Sequence, residues 1–497
     1  MTENLQISIS SKIRELGFHS LVYGVGSIAQ SALGLILLPV LTGSLSLDDY
    51  GAYSLITMLC VISSAIFYLG ITSALPRSYF DYPEDNDRRC IFTTAFLIIA
   101  IGGLLQSLVG YYFSGDLSIL LVGTDAYKHA LSWALCGAAV SFINTFFFTY
   151  LRLQRQSTAY VLFSLLSLIS SVVLTLFLIQ VESERILAPF KGILFSQLLI
   201  AVTFLMIFGR HAFTLKYRAL EVGNLLNFGL GAVLASFAQI LIDWSDRLII
   251  EENMNLADVG IYSAAFRVGM LINVVLIVPF MQIWSPMMME YRTKPNVKSL
   301  FSYAFSIFII LGGILLLTAI MFGQDLLPIL IKMEVNNIVI LVAILTMAGF
   351  FISGLTNILV AGIFYERKVY RLSALYYGLA GLKIGFNLFL IPAYGLLGAS
   401  FSTIFICTLT PILVYALAKN FFAFPIEWWR LRYFLLVVLP SLGYMVLIFL
   451  NVEILLYYRV LYFFTSLFFI YYLCLLPSEK VSVRSFIGGI CDSKKSN

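Results

Sequence analysis

Residues 47–54 read LDDYGAYS, and residues 256–263 repeat this pattern as LADVGIYS, 209 positions later. Two further pairs of segments recur at nearly the same offset: 23–26 with 228–231, and 191–196 with 397–402. Chance resemblance between apolar stretches is the alternative explanation. The ordered offsets argue against it and predict a chain built from two related halves.

Both copies of the pattern lead into long apolar runs, and such runs fill the chain. Hydrophobic residues make up 60% and charged residues 11% of the 497 positions, against about 45–50% and about 25% in soluble domains. This balance excludes a water-soluble enzyme and a disordered chain. A bilayer is crossed by roughly 20 apolar helical residues, whereas barrel strands alternate over about ten. The runs predict an all-α polytopic membrane protein with fourteen spans: 20–41, 51–74, 91–112, 129–151, 158–180, 187–209, 223–245, 260–287, 300–322, 335–361, 372–392, 395–418, 433–451 and 455–476.

The repeat offset contains six spans, an even number, so the two halves should have the same orientation in the membrane. Parallel repeats of this kind place a substrate path between the halves of many transporters. The expected units are a cytoplasmic N-terminus (1–19), an N-lobe (20–215), a C-lobe (216–420), two extra helices (421–478) and a cytoplasmic tail (479–497).

The distribution of positive charge predicts the orientation. With the N-terminus in the cytoplasm, the cytoplasmic loops and termini hold 23 Lys and Arg residues and the opposite side holds 6. Cytoplasmic loops are enriched in these residues, so both termini are predicted to be cytoplasmic. Every loop is short, so any active residues should lie within the helical bundle.

Common catalytic and cofactor patterns are missing from the sequence. Its six cysteines form no CxxC pair, its three histidines are scattered, and no phosphate-binding GxxxxGK[ST] motif or basic run occurs. We therefore expect no catalytic residues, no metal site, no bound cofactor and no nucleic-acid partner. Uphill work would come from a proton or sodium gradient, or from consumption of the product.

Several motifs together resemble one family. They are Leu38-Pro39 through Thr42, the repeat at 49–54, Phe228-Gly229-Leu230, Asp246-Arg247-Leu248-Ile249, Val259 through Ser263 with Arg267, Asn387 through Pro392, and Gly395 through Ala399. Over roughly residues 15–420 this order is similar to the polysaccharide transporter branch of the MATE-like multidrug/oligosaccharidyl-lipid/polysaccharide flippase superfamily.

The resemblance implies two six-helix lobes facing each other across a central cavity. It also implies a flippase that moves an undecaprenyl-pyrophosphate-linked oligosaccharide from the cytoplasmic to the periplasmic leaflet of a bacterial inner membrane. The usual cargo is a repeat unit of the O-antigen of lipopolysaccharide or of an exopolysaccharide. Polysaccharide polymerase and chain-length machinery are the expected protein partners.

Lys383 is the most conspicuous candidate site residue, because it lies about twelve residues into the eleventh span. A charge at that depth costs about 2.5–3.5 kcal/mol and usually faces a cavity or a partner. One interpretation places Lys383 in the cavity, with Asn387 one turn along, as the cation that attracts the pyrophosphate. The alternative is a structural pair with an acid on another helix. The first interpretation predicts that Lys383→Glu abolishes export without lowering protein abundance.

Three other residues are candidates for substrate contacts. Arg267 lies some seven residues into the eighth span, facing either the cavity or the periplasmic interface. Arg77 lies where the pyrophosphate would enter, although the general excess of cytoplasmic positive charge explains it as well. Gln30 belongs to a neutral polar stripe that suits either sugar contacts or helix packing.

The seventh span carries the candidate acid. Ser236, Gln239, Asp243 and Arg247 follow one another at intervals of three or four and therefore share one helix face. Asp243 is the candidate for ion coupling, or for an interfacial pair with Arg247. The family resemblance favours Asp246 and Arg247 as a structural pair at the periplasmic end.

Two other functions compete with the flippase. A drug or cation exporter would share the superfamily fold but usually has twelve helices. A membrane glycosyl polymerase would be expected to present a large periplasmic loop, and the sequence has none.

Overall fold

The computed structural model describes residues 33–474 except 81, 83, 215, 217, 294–296, 367–368, 451 and 453, together with residues 26, 28 and 31. Thirteen long helices and one shorter apolar helix form most of this part, and the predicted all-α, polytopic fold is confirmed. They are α1 Leu33–Ser44, α2 Leu47–Tyr68, α3 Asp85–Tyr112, α4 Lys128–Leu153, α5 Ser157–Val181, α6 Leu187–Ala212, α7 Ala219–Asn253, α8 Leu256–Glu290, α9 Val297–Leu330, α10 Asn337–Tyr365, α11 370–394, α12 396–418, α13 Trp428–Phe449 and α14 Leu456–Cys474. Short helices Ile71–Phe80 and Ser114–Val122 follow α2 and α3.

The repeated motif is a helix start. Ser46 precedes α2 and accepts a hydrogen bond from the Asp49 backbone N–H at 3.1 Å. Asn255 precedes α8 and accepts the equivalent bond from Asp258 at 2.8 Å. Such caps satisfy backbone donors that the first helical turn leaves open. The recurring sequence therefore encodes the same local structure in both halves.

Helices α11 and α12 form an antiparallel hairpin. Gly395 joins them with φ 58° and ψ −136°, a conformation that glycine adopts without a Cβ clash. After this reversal the backbones of Gly398 and Leu390 are in contact. The two predicted spans are thus separate crossings, although helical geometry continues almost up to the turn.

The two halves meet through equivalent residues. A Cβ on Gly51 would overlap the carbonyl oxygen of Leu256, and one on Gly260 would overlap that of Leu47. Between these contacts the Ser54 hydroxyl donates to Ser263 Oγ at 2.7 Å. This reciprocal pattern is what a two-fold axis generates. We call this contact between α2 and α8 the seam.

Burial shows how the lobes are joined. One apolar core runs through both halves at the seam end, including Leu41, Tyr50, Val259 and Tyr262. Away from the seam, the N-lobe has its own core around Phe92 and Phe147. The C-lobe has another core, which also receives side chains from α13 and α14. The bundle is therefore packed shut across both lobes at the seam end.

Helices α13 and α14 attach to the outside of the C-lobe at α9. Arg459 of α14 pairs with Asp325 at 2.6 Å, and the hydroxyl of Tyr444 in α13 donates to Gln324 Oε1 at 2.9 Å. Arg459 and Tyr444 lie outside the repeated halves, whereas their partners lie on α9 of the C-lobe, which fits two helices added to a twelve-helix core.

Candidate functional site: a cavity with two arginines

A cavity of about 370 Å³ lies between the lobes beside the seam. Helices α1 and α2 line it from the N-lobe, and α7, α8 and α10 line it from the C-lobe. Its polar and charged wall residues are Ser31, Tyr50, Tyr53, Ser54, Thr57, Asp243, Arg247, Ser263, Arg267 and Asn273. We call this space the central cavity.

Arg247 reaches the cavity wall in a fixed geometry. Its Nε donates to Ser54 Oγ of the other lobe at 3.0 Å, and Nη1 donates to the backbone oxygen of Asp243 at 2.9 Å. The guanidinium carbon lies 4.4 Å from the ring centre of Trp244 and 4.6 Å from that of Phe266. The two rings hold the cation by cation–π attraction, and the side chain forms part of the cavity wall.

Arg267 is the second cation of the wall. It extends from α8 toward the N-lobe, where its guanidinium carbon is 5.7 Å from the ring centre of Tyr53. Among the described residues, no carboxylate oxygen lies within 4 Å of a guanidinium nitrogen of Arg247 or Arg267, whereas seven other cations do have such partners. The prediction left Arg267 open between cavity and interface, and the structure places it at the cavity.

The charge of the described wall is positive. Two arginines face one aspartate, and aromatic rings and hydroxyl groups fill the rest of the surface. Guanidinium groups form strong, often bidentate, hydrogen bonds to phosphate and carboxylate oxygens. The arrangement can therefore hold an anion in a partly dehydrated space between the lobes.

Lys383 does not lie on this wall. Its side chain is 1% exposed, and its Nζ pairs with Asp246 at 3.0 Å and donates to the backbone oxygen of Ile242 at 2.6 Å. Asn387, also predicted to contact substrate, donates to Oδ1 of the same carboxylate at 2.6 Å. The expected cavity cation is thus a buried structural pair, the alternative that the sequence left open. Burial makes such pairing obligatory, because an unpaired charge there is very costly.

Asp246 is the centre of a buried polar cluster inside the C-lobe. Besides Lys383 and Asn387, the hydroxyl of Tyr262 donates to it at 2.6 Å, and Thr403 approaches at 3.4 Å. The predicted pair between Asp246 and Arg247 is wrong. Neighbouring residues on a helix point about 100° apart, so Asp246 turns into the lobe while Arg247 turns to the cavity.

Asp243 occupies the border of two spaces. Its Oδ1 accepts a hydrogen bond from Gln239 at 3.0 Å, and it lines both the central cavity and a smaller pocket inside the C-lobe. Its predicted role in ion coupling stays a prediction.

Gln30 and the side chain of Arg77 lie outside the described residues. Within the described part of the chain, no group of three or more His, Cys, Asp or Glu side chains could hold a metal ion.

The sequence interpretation missed Arg247 as a cavity cation, and with it the aromatic residues that hold it. The spacing of Gln239, Asp243 and Arg247 on one face of α7 indicated this position, because all three residues border one of the two spaces. Serines at equivalent repeat positions, Ser54 and Ser263, were also visible as a matched pair.

The described helices form a polytopic two-lobe bundle with a central cavity, a fold that is similar to that of MATE family transporters. A model of the family "Polysaccharide biosynthesis protein" matches residues 18–292. This match covers more than half of the chain, which therefore belongs to that family and is a membrane flippase or transporter. No curated protein matches the sequence.

Solved structures share the fold. The lipid II flippase MurJ in an inward closed conformation aligns with a TM-score of 0.69 at 14% identity, covering 94% of this chain and 100% of its own. An inward-facing multidrug resistance MATE family transporter gives 0.63 at 14% identity, with 80% and 94% covered. An outward-facing structure of a multidrug resistance MATE family transporter gives 0.55 at 16% identity, with 82% and 94% covered. These similarities concern the fold.

Proposed function

We propose that the protein is a flippase for an undecaprenyl-pyrophosphate-linked oligosaccharide, the repeat unit of an O-antigen or exopolysaccharide. The observation that carries this proposal is the pair of guanidinium groups, Arg247 and Arg267, on one cavity wall without a described carboxylate partner. A pyrophosphate supplies several negatively charged oxygens in a compact group, which suits two forked donors. Membership of a polysaccharide biosynthesis family supports a lipid-linked glycan as the cargo.

The proposed cycle is alternating access. In this conformation the seam end is packed shut, and the predicted orientation puts that end at the periplasm. The cavity would then load from the cytoplasmic side of a bacterial inner membrane, and the lobes would rock about the site until the seam opens. Polymerase and chain-length proteins would take the product on the far side.

Asp243 is the proposed coupling group. It is the carboxylate of the described cavity wall, it faces open space on two sides, and it lies one turn from Arg247. Asp243→Asn should leave binding of undecaprenyl pyrophosphate intact and remove the response of transport to an imposed proton or sodium gradient. Retention of that gradient response would assign coupling elsewhere.

A drug or cation exporter is the competing function, and the charge of the cavity argues against it. A cationic drug would meet two arginines and one aspartate, so the net interaction would be repulsive. An exporter with this wall would have to prefer anions.

The test is transport in proteoliposomes that carry a fluorescent undecaprenyl-pyrophosphate-linked glycan. Externally added dithionite measures the fraction in the outer leaflet. Wild-type protein should speed the exchange between leaflets, and Arg267→Gln and Arg247→Gln should reduce it by on the order of tenfold or more each, since hydrogen bonds to charged groups contribute about 1.5–3 kcal/mol. Thr318→Val, on α9 away from the cavity, is the matched control. Equal exchange by wild type and both arginine variants would reject the proposed function.

A further inference from the structure

A second space, the C-lobe pocket, adjoins the central cavity and has no assigned role. It measures about 290 Å³ and lies among α7, α8, α10, α11 and α12. Asp243, Met270, Asn273 and Phe350 border both spaces. Together the two volumes fall within the range of small-molecule sites, roughly 300–1,000 Å³.

The two spaces differ in chemistry. The central cavity has two arginines, whereas the described wall of the C-lobe pocket has no Lys or Arg, and its polar side chains other than Asp243 are neutral. Its amides and hydroxyls are Gln239, Asn273, Ser353, Thr356, Asn357, Tyr376 and Thr410. A ligand that suits this wall is uncharged and rich in hydroxyl groups.

One of these groups is buried without a partner. Thr356 is 6% exposed, and its Oγ1 has no hydrogen-bond partner among the described residues. Leaving a buried hydroxyl unsatisfied costs about 1–3 kcal/mol. Thr346 of the same helix is also unpartnered, but it packs against Gly269 instead of lining the pocket. Of the two threonines, Thr356 is the one that lines the pocket.

The helices that border the pocket are irregular where they meet it. Helix α8 contains a π-helical turn at Asn273–Ile277, and α10 is interrupted at Leu355 and Val360, on either side of Thr356–Leu359. Asn273 and Thr356 both line the pocket. Irregular turns within membrane helices free backbone groups that must be satisfied, and they concentrate at functional sites.

We propose that the C-lobe pocket binds the sugar attached to the pyrophosphate, while Arg247 and Arg267 hold the pyrophosphate in the central cavity. This inference rests on the proposed function. Asp243 connects the two subsites, because it faces both spaces one helical turn from Arg247. The amides and hydroxyls pair with sugar hydroxyls, and the pocket distinguishes a glycosylated lipid from a bare one. A site built around hydrogen bonds discriminates strongly against a ligand that lacks them.

The experiment compares the affinity of purified protein in nanodiscs for two probes, undecaprenyl pyrophosphate and the same lipid carrying one N-acetylhexosamine. Thr356→Val keeps the side-chain shape and removes the hydroxyl. We expect it to weaken binding of the glycosylated probe by on the order of tenfold, because a sugar hydroxyl loses its partner. Binding of the bare lipid should stay unchanged. Thr346→Val, the same substitution at the other unpartnered threonine of α10, should change neither affinity.

Each outcome is decisive. A selective loss for the glycosylated probe supports the sugar subsite. An equal effect of Thr356→Val on both probes, or no effect on either, overturns the sugar subsite. If Thr356→Val changes only the sodium or proton dependence of transport, the proposal is also overturned, because the pocket would then be an ion path. The proposed function fails separately, when Arg247→Gln and Arg267→Gln leave binding of the bare lipid unchanged.

Discussion

Charge reversal at Lys383 distinguishes a structural pair from a substrate contact. In the structure its Nζ lies 3.0 Å from Asp246, and the two side chains are 1% and 0% exposed. Lys383→Glu would place a second carboxylate beside the first in a closed interior. Breaking a buried pair costs about 3–5 kcal/mol, and like-charge repulsion adds to this. Since whole proteins are stable by about 5–15 kcal/mol, we expect a marked loss of folded protein.

Companion variants separate charge from shape. Lys383→Met leaves Asp246 with the hydroxyl of Tyr262 and the amide of Asn387, so it should destabilise less than Lys383→Glu. Combining Lys383→Met with Asp246→Asn removes both charges and should recover stability relative to Asp246→Asn alone. Thermal unfolding in detergent, followed by fluorescence-detected size exclusion, measures the order. If Lys383→Glu is as abundant and as heat-stable as wild type yet inactive, the structural pairing is refuted and the cavity role is restored.

Three further predictions concern the seam and the outer helices. In a variant without the six native cysteines, oxidising Ser54→Cys/Ser263→Cys should stop transport and reduction should restore it, because the wild-type Oγ atoms are 2.7 Å apart across the lobes. The matched control is Ser171→Cys/Ser196→Cys, since the two wild-type hydroxyls are 2.9 Å apart within the N-lobe. Transport that continues after the cross-link between positions 54 and 263 has formed would show that the seam need not open. Gly51→Ala should hold the seam apart, since its Cβ would overlap the Leu256 carbonyl, whereas the Cβ of the control Gly223→Ala meets open space. Labelling of Ser263→Cys by a water-soluble maleimide should rise only with Gly51→Ala. Equal labelling of the two variants would contradict the close contact. Arg459→Met should loosen α14 from α9 by about 1–3 kcal/mol, because it removes the hydrogen-bonded pair between the buried Arg459 and the half-exposed Asp325. Proteolysis of the C-terminal helices reports this loosening. Unchanged cleavage would mean that apolar contacts alone hold α14.

The architecture could be predicted because its causes are local or periodic. Apolar length alone located the spans, and the motif at 47–54 and 256–263 marked two equivalent helix starts, each confirmed by a cap from Ser46 or Asn255. The spans predicted at 372–392 and 395–418 are two helices, and the chain turns between them at Gly395, where φ is positive.

The candidate site was predictable only in part, because it depends on how helices are rotated against each other. Spacing grouped Lys383 with Asn387 on one face, and they do act together. The sequence could not show that this face turns toward Asp246, 137 residues away, instead of toward the cavity. For Arg247, spacing gave the correct face together with Asp243. The family resemblance favoured a pair between Arg247 and Asp246, which does not form because neighbouring side chains on a helix point about 100° apart.

The central claim is that the cavity binds an anionic lipid head group through two arginines. The most direct measurement is the affinity of the purified protein for undecaprenyl pyrophosphate and for a cationic amphiphile of similar chain length, with and without Arg247→Gln and Arg267→Gln. The account predicts tight binding of the pyrophosphate lipid, weak binding of the cation, and loss of the former by on the order of a hundredfold or more in the double variant. Pyrophosphate binding within twofold of wild type in a well-folded double variant, or a preference for the cation, would contradict it.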